Sequence, residues 1–362
     1  MENASYLQFD GGDFINFISF VKSMGSKEKG ARSVIIYVEG DTLVCKAVDD
    51  TNMIEYHVSK YKSDNEIAEP ISASLSDLAT LIKSADNEKF TIRKVFNQYE
   101  FNIVGNGWMP FKTIDADISK YKIDGVESNI GTVNSVKLRN AISSVLGYTQ
   151  DYTYVRDMYI QFSKSQMVVT SRLSKVITSD EFVEMTLHRD DATMLKTLLK
   201  DNFDLVVTHI SGSVGRIKFT GPKFRFYIIE SGIETSNASY IDGIKDYITI
   251  NNDELYRLAV ISEEYSASKH VIGLSIKNKQ LNVSIKNILT GKHVSTVTSV
   301  PVGDVKDTKD EAEMPSHNLL KTLKLFQDKR SREINIYISD DMKNSIIIFD
   351  NNTQAIININ NR

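Results

Sequence analysis

Apolar residues recur at three- and four-residue spacing in six separate segments of this chain, and stretches of alternating apolar and polar residues lie between them. The first segment runs Phe14, Ile15, Phe17, Ile18 and Val21 behind Gly12-Asp13, and the second has Leu78, Leu81, Ile82 and Ala85 behind Ser76-Asp77. Asn134-Ser135 precede Leu138, Ala141, Ile142 and Val145, while Asp190-Asp191 precede Met194, Leu195, Leu198 and Leu199. The last two are Leu255, Leu258 and Ala259 behind Asn251-Asn252, and Leu319, Leu320 and Leu323 behind Ser316. Short polar residues at such positions fit helix N-caps, whose side-chain oxygens satisfy N–H groups that a helix start leaves open. Six helices are predicted.

The alternating stretches predict strands at 33–38, 43–48 and 53–58 after the first helix. Similar stretches follow the fourth helix at 203–210, 214–219 and 224–229, and the sixth at 334–338, 346–349 and 355–359. Turn residues such as Glu39-Gly40-Asp41, Ser211-Gly212-Ser213 and Thr220-Gly221-Pro222 separate them. With Ile15, Leu78, Leu138, Leu195, Leu255 and Leu319 as anchors, the spacings are 63, 60, 57, 60 and 64 residues. A period so nearly constant marks one module used six times, a helix with three or four antiparallel strands. Strands outnumber helices too heavily for a doubly wound parallel sheet, so the fold class is α+β. One helix cannot cover a four-stranded sheet, so modules should pair into three domains, 1–124, 125–245 and 246–362.

Length and composition agree with that division. A chain of 362 residues is long for one core, and 41% apolar with 25% charged residues supports ordinary globular domains. The formal net charge of -4 argues against DNA binding through overwhelming positive charge, though it permits one basic face on an acidic remainder. Cys45 is the single cysteine, which precludes an intrachain disulfide and reads as a small buried apolar residue. The first residues lack a basic start followed by an apolar core, so no signal peptide is expected. Nor does any apolar run approach the ~20 residues that span a bilayer. A soluble, cytoplasmic protein is the expectation.

Catalytic chemistry has no visible constellation. The chain contains no dinucleotide or P-loop glycine motif and no nucleophile elbow. Its histidines (His57, His188, His209, His270, His293 and His317) are scattered, and the absence of CxxC excludes a cysteine zinc site. Acidic pairs at Asp49-Asp50, Asp190-Asp191, Glu263-Glu264 and Asp340-Asp341 fall at turns and helix edges, where capping and solubility explain them. No enzyme, metal or cofactor is expected. Basic residues are more suggestive. Lys22, Lys83, Lys137, Arg139, Lys196, Lys200, Arg257, Lys321 and Lys324 all lie on or at the end of a predicted helix. Singly, each is explained by the helix-forming tendency of Lys and Arg. Together they suggest a shared basic surface that would attract phosphates without reading sequence.

The repeat resembles the bacterial β sliding clamp, the processivity subunit of replicative DNA polymerase, in length and in three two-module domains. The stretch Met185-Thr-Leu-His-Arg-Asp-Asp-Ala-Thr-Met-Leu-Lys-Thr-Leu-Leu, with residues 224–229 and Tyr240, is similar to the second half of that family's middle domain. Residues 333–338, Ser339-Asp340-Asp341, 345–349 and 355–362 resemble its closing strands. The resemblance implies a DNA-clamp fold, with two chains joined head to tail in a ring around duplex DNA. Helices about 10 Å across on a circle ~40 Å wide number about a dozen, and a chain with six supplies half. The basic helices would then face DNA, joined by Gln150, which matches a DNA-facing family position. A groove for short peptides of polymerase and clamp loader is implied at Val155, Thr170, Arg172, Leu173, Pro315, Asn318, Met342, Asn344, Ile357 and Ile359. Departures from the family fall in that groove: Thr170-Ser171-Arg172-Leu173-Ser174-Lys175 stands in place of Thr-Asp-Gly-His-Arg-Leu, and Ile359-Asn360-Asn361-Arg362 in place of Met-Pro-Met-Arg. A clamp-shaped scaffold or transcription cofactor that binds peptides without encircling DNA is the alternative function.

Overall fold

A computed structural model describes every residue except 1–4, 25–32, 65–66, 68, 84–87, 104–106, 115–120, 150–158, 165–166, 171–173, 179–181, 231–240, 242, 266–270, 288–290, 329, 340–344 and 359–362. Six modules of one design follow one another. The first is β1 (Ser5–Asp10), α1 (Gly11–Ser23), β2 (Ser33–Glu39), β3 (Thr42–Val48) and β4 (Met53–Asp64). Next come β5 (Ile71–Ser74), α2 (Leu75–Leu81), β6 (Lys89–Val95), β7 (Gln98–Ile103) and β8 (Gly107–Phe111). The third has β9 (Val126–Asn134), α3 (Ser135–Val145), a 3-10 turn over Leu146–Thr149, β10 (Tyr159–Phe162), β11 (Met167–Thr170) and β12 (Ser174–Thr178). In the fourth, β13 (Met185–His188) leads α4 (Arg189–Leu198), β14 (Asp204–Ser211), β15 (Arg216–Thr220) and β16 (Phe224–Ile229). The fifth contains β17 (Tyr247–Asn251), α5 (Asn252–Tyr265), β18 (Val271–Lys277), β19 (Gln280–Asn287), β20 (Gly291–Val297) and β21 (Ser299–Val302). The sixth ends the series with β22 (Ala312–Pro315), α6 (Ser316–Asp328), β23 (Glu333–Ser339), β24 (Ser345–Phe349) and β25 (Thr353–Asn358).

Each helix is entered directly from a strand, a feature the sequence pattern did not predict. These leading strands are exchanged between neighbouring modules: β1 pairs with β6 and β5 with β2, β9 with β14 and β13 with β10, β17 with β23 and β22 with β18. All the pairings are antiparallel. A module therefore satisfies its sheet edge only by borrowing a strand from the next.

Several helix starts differ by one or two residues from the sequence expectation. The cap of α1 is Asp10, whose Oδ1 accepts the Asp13 N–H at 2.7 Å, and α2 begins after Ser74, leaving Ser76 and Asp77 inside its first turn. Asp190 and Asp191 likewise sit within the first turn of α4, where negative charge suits the helix dipole. Asn134 and Asn251 do cap α3 and α5, accepting from Lys137 N–H at 3.1 Å and Asp253 N–H at 2.9 Å.

The chain divides into two compact units, Met1–Arg139 with Asp190–Ser231, and Asn140–Arg189 with Gly232–Arg362. The first holds a twelve-stranded sheet whose main path is β8-β7-β6-β1-β4-β16-β15-β14-β9. Its core centres on phenylalanine: Phe9, Phe14, Phe90 and Phe101 are fully buried and meet edge-on, with centroids 5.0 to 6.1 Å apart. Such contacts add to the burial term for each ring. The second unit contains a nine-stranded sheet, β13-β10-β11-β12-β25-β24-β23-β17-β21, and a four-stranded one, β20-β19-β18-β22. There α5 and α6 pack antiparallel, since Asn252 at the start of α5 bonds the Leu323 carbonyl at 3.2 Å and Ser262 meets Ser316 at 2.7 Å. Cys45 is buried in β3, and burial pushes its thiol far above the ordinary range. Among the described residues, no helix is long and apolar enough to cross a membrane.

Candidate nucleic-acid interface and peptide groove

Helix packing decides which side chains are available for a partner. Phe14, Phe17, Ile18 and Val21 turn α1 towards its sheet, so Gly12, Asn16, Ser19 and Lys22 face outward. Lys137 and Arg139 are exposed on α3, Arg257 on α5 and Lys324 on α6. Lys196 and Lys321 are half-buried beside their helices' apolar stripes. Two cations stand just past helix ends, Lys83 after α2 and Lys200 after α4, and both are exposed. Positive charge is uneven among the helices. The outward face of α4 is Asp190, Thr193 and Thr197, and α5 sets Asp253 and Glu264 beside Arg257. Gln150 lies outside the described residues.

Cations on strands and strand turns are treated differently. Lys46, Arg93, Lys94, Lys218, Lys223, Arg225 and Lys292 each pair with a carboxylate. By contrast Lys22, Lys83, Arg139, Lys196, Lys200, Arg257, Lys321 and Lys324 pair with no described carboxylate. Other strand cations, Lys60, Arg216 and Lys277 among them, bond backbone carbonyls instead.

One of these neutralised sets fixes the sheet of the first unit. Glu55 on β4 stands in register between Lys46 on β3 and Arg225 on β16, with Lys46 Nζ at 2.8 Å and His57 Nε2, two residues along, at 3.1 Å. Burial alone would raise its pKa, but hydrogen bonds from His57 and Lys46 and the charges of Lys46 and Arg225 bring it down to about 2. Trp108, on the edge strand β8, is covered by the Arg93 guanidinium 4.0 Å from its ring centroid.

Of the groove positions, Val155, Arg172, Leu173, Met342, Asn344 and Ile359 lie outside the described residues, and Thr170 is placed only as the end of β11. Pro315 ends β22, half-buried, and Asn318 follows on the first turn of α6. Asn318 is 9% exposed, and its Nδ2 is buried with no hydrogen-bond partner among the described residues. Ile357 on β25 pairs in register with Ser174 on β12 and has no exposed surface. Among the described residues, no group of three His, Cys, Asp or Glu side chains is placed to hold a metal ion.

No protein-family model matches the chain, and no curated protein does. Solved structures do. The DNA polymerase sliding clamp of Bacillus subtilis superposes with a TM-score of 0.80 at 14% identity, over 99% of this chain and 100% of that one. The DNA polymerase III subunit beta of Pseudomonas aeruginosa gives 0.78 at 16%, with the same coverage. That of Thermotoga maritima gives 0.77 at 13%, again over 99% and 100%. The chain has the α+β fold of the bacterial DNA polymerase III β subunit over its whole length, in a divergent sequence.

Proposed function

We propose that this chain is a sliding clamp: a non-catalytic processivity factor, two copies of which close head to tail around duplex DNA. The observation that carries the reading is a set of exposed cations on or just past the helices, Lys22, Lys83, Arg139, Lys200, Arg257 and Lys324, that pair with no described carboxylate. Unpaired Lys and Arg on helices attract phosphates without reading bases, as a sliding protein requires. Three domains, 1–124, 125–245 and 246–362, would each consist of two modules locked by exchanged leading strands. Free strand edges offer the subunit contact. β8 and β20 end their sheets, and each exposes an apolar side chain, Met109 at 43% and Val294 at 60%. Antiparallel pairing of one chain's β8 with another's β20 would satisfy both edges.

Polymerase and clamp-loader peptides would dock in the groove beside Pro315 and Asn318. No cofactor or metal enters this reading, and the site of action is the cytoplasm. Images of the purified chain in negative stain, with retention on circular against linear DNA, test it. Rings with a duplex-sized hole, held on circles and lost from linear ends, are expected. Ringless particles with no preference for circles would defeat it.

One observation favours a peptide-binding scaffold that does not encircle DNA. The outward face of α4 carries Asp190, Thr193 and Thr197, and the whole chain is net negative at -4. On that reading, reversing charge at Lys200 and Arg257 leaves every interaction of the protein intact.

A further inference from the structure

The hairpin that joins β6 to β7 turns on two residues, Phe96 and Asn97, set between the paired Val95 and Gln98. Phe96, the first of them, holds φ at +56°. Two-residue hairpins favour glycine or asparagine at positive φ, because a Cβ there crowds the backbone. A phenylalanine is a strained choice. Burial does not offset the strain, since Phe96 is 77% exposed, more than any other large apolar side chain described. Phe90 and Phe101, on the same two strands, have no exposed surface at all. The turn holds the Phe96 side chain clear of its own sheet, which spares a partner the cost of ordering it.

Register places this side chain near a free sheet edge. Val95 and Gln98 close β6 and β7, Tyr99 faces Phe111 at the end of β8, and β8 is the outermost strand of its sheet. Phe96 stands beyond the Phe111 end of that edge, where a strand added to β8 would run on. The cations nearest the turn are already paired, Arg93 with Glu100 and Lys94 with Glu69, so this corner offers an apolar contact rather than a charged one. The other exposed large apolar side chains show what covers it. Met109 shares the second module with Phe96, while Ile261, Val294 and Val300 stand on α5, β20 and β21 of the fifth. Only Val126 and Val214, among the described residues, fall elsewhere. Two separate apolar sets on one chain are what a head-to-tail contact needs, each covering the other on the next copy.

We infer, on the clamp reading above, that Phe96 anchors the subunit contact, its side chain covered by the fifth module of a second copy of this chain. Aromatic side chains that become fully covered are the usual anchors of such contacts. Pairing of β8 with β20 supplies backbone hydrogen bonds along the edge, and Phe96 adds apolar burial at its end. A closed clamp of two copies contains the contact twice, so one substitution weakens both.

Sedimentation velocity over a dilution series of the full chain, with Phe96→Gly and Val126→Ser beside it, tests the assignment. Glycine suits the positive φ and relieves the turn, so Phe96→Gly is expected to fold as the parent does, checked by circular dichroism. Its dimer dissociation constant is expected to rise about a hundredfold, roughly tenfold for each of two contacts. Val126→Ser removes an exposed apolar side chain outside the two modules and is expected to leave the dimer unchanged. A Phe96→Gly protein that dimerises as tightly as the parent overturns the proposal and leaves the clamp reading standing. Equal weakening by both substitutions does the same. A parent that stays monomeric at every concentration overturns both.

Discussion

The side-chain amide of Asn52 donates to a carboxylate oxygen of Asp191 at 2.9 Å, tying the β3–β4 turn to the first turn of a helix 139 residues further along the chain. Burial pushes the Asp191 carboxyl up to about 6, against the lowering effect of the Asn52 bond, with Asp190 and Asp49 adding repulsion. The folded state thus holds this proton more firmly than the unfolded chain does. Its contribution to stability is greatest below the ordinary value of 3.8 and falls away as pH climbs through 6. Asp191→Asn keeps an acceptor for Asn52 and removes the charge. Urea unfolding is expected to find the variant about 2 kcal/mol more stable at neutral pH, the difference shrinking as pH falls below 6 and vanishing below 3.8. A variant less stable at neutral pH would contradict this account.

Glu55 has the opposite sign. Its folded pKa lies well below the ordinary 4.5, so its contribution is present above that value and lost as pH falls towards 2. Glu55→Gln leaves Lys46 and Arg225 facing a neutral group inside the sheet. A loss of about 3 kcal/mol at neutral pH is expected from denaturant unfolding, shrinking in acid where the native carboxylate is itself protonated. Equal stability of the two proteins at neutral pH would show that solvent screens the row.

Charge reversal on the helices addresses DNA directly. Lys22→Glu, Arg139→Glu and Lys324→Glu touch exposed residues, and Lys22, Arg139 and Lys324 have no carboxylate partner to lose, so folding should be unaffected. Each is expected to weaken DNA binding and to lower the slope of log affinity against log salt by about one. An unchanged salt slope in all three would remove these side chains from the interface.

The sheet edges predict how the chain assembles. Met109→Asp on β8 and Val294→Asp on β20 place charge on exposed edge positions, where folding tolerates it and strand pairing does not. Sedimentation should find each variant shifted to monomer at concentrations where the parent dimerises. Because a head-to-tail contact uses both edges, either substitution alone should suffice.

Much of the fold was legible because its signals are local. Apolar spacing located all six described helices, and the strands expected at 224–229 and 346–349 fall at Phe224–Ile229 and within Ser345–Phe349. The leading strands escaped because they run into their helices without a turn residue. In β1, Leu7 and Phe9 alternate inward and pass straight into the helical spacing of Phe14, Phe17 and Ile18. Asp10 was missed as a cap for the same reason. Candidate cations were found only where they lie on helices, since spacing along a helix is visible in one segment. The Lys223–Asp13 pair joins residues 210 apart, and such proximity is a property of the tertiary fold.

The sheets also say something about how the chain is made. β4 ends at Asp64, and its partner β16 begins at Phe224, 160 residues later; β12 ends at Thr178 and waits 175 residues for β25 at Thr353. During synthesis both strands must emerge with an open edge that nothing nearby in sequence can cover. Contacts this distant slow folding and lengthen the period in which edge pairing with another chain competes. Val176 and Ile177 on β12, and Met53 and Ile54 on β4, are the apolar stretches at stake. A nascent-chain chaperone holding these edges would act for longer on this protein than its size suggests.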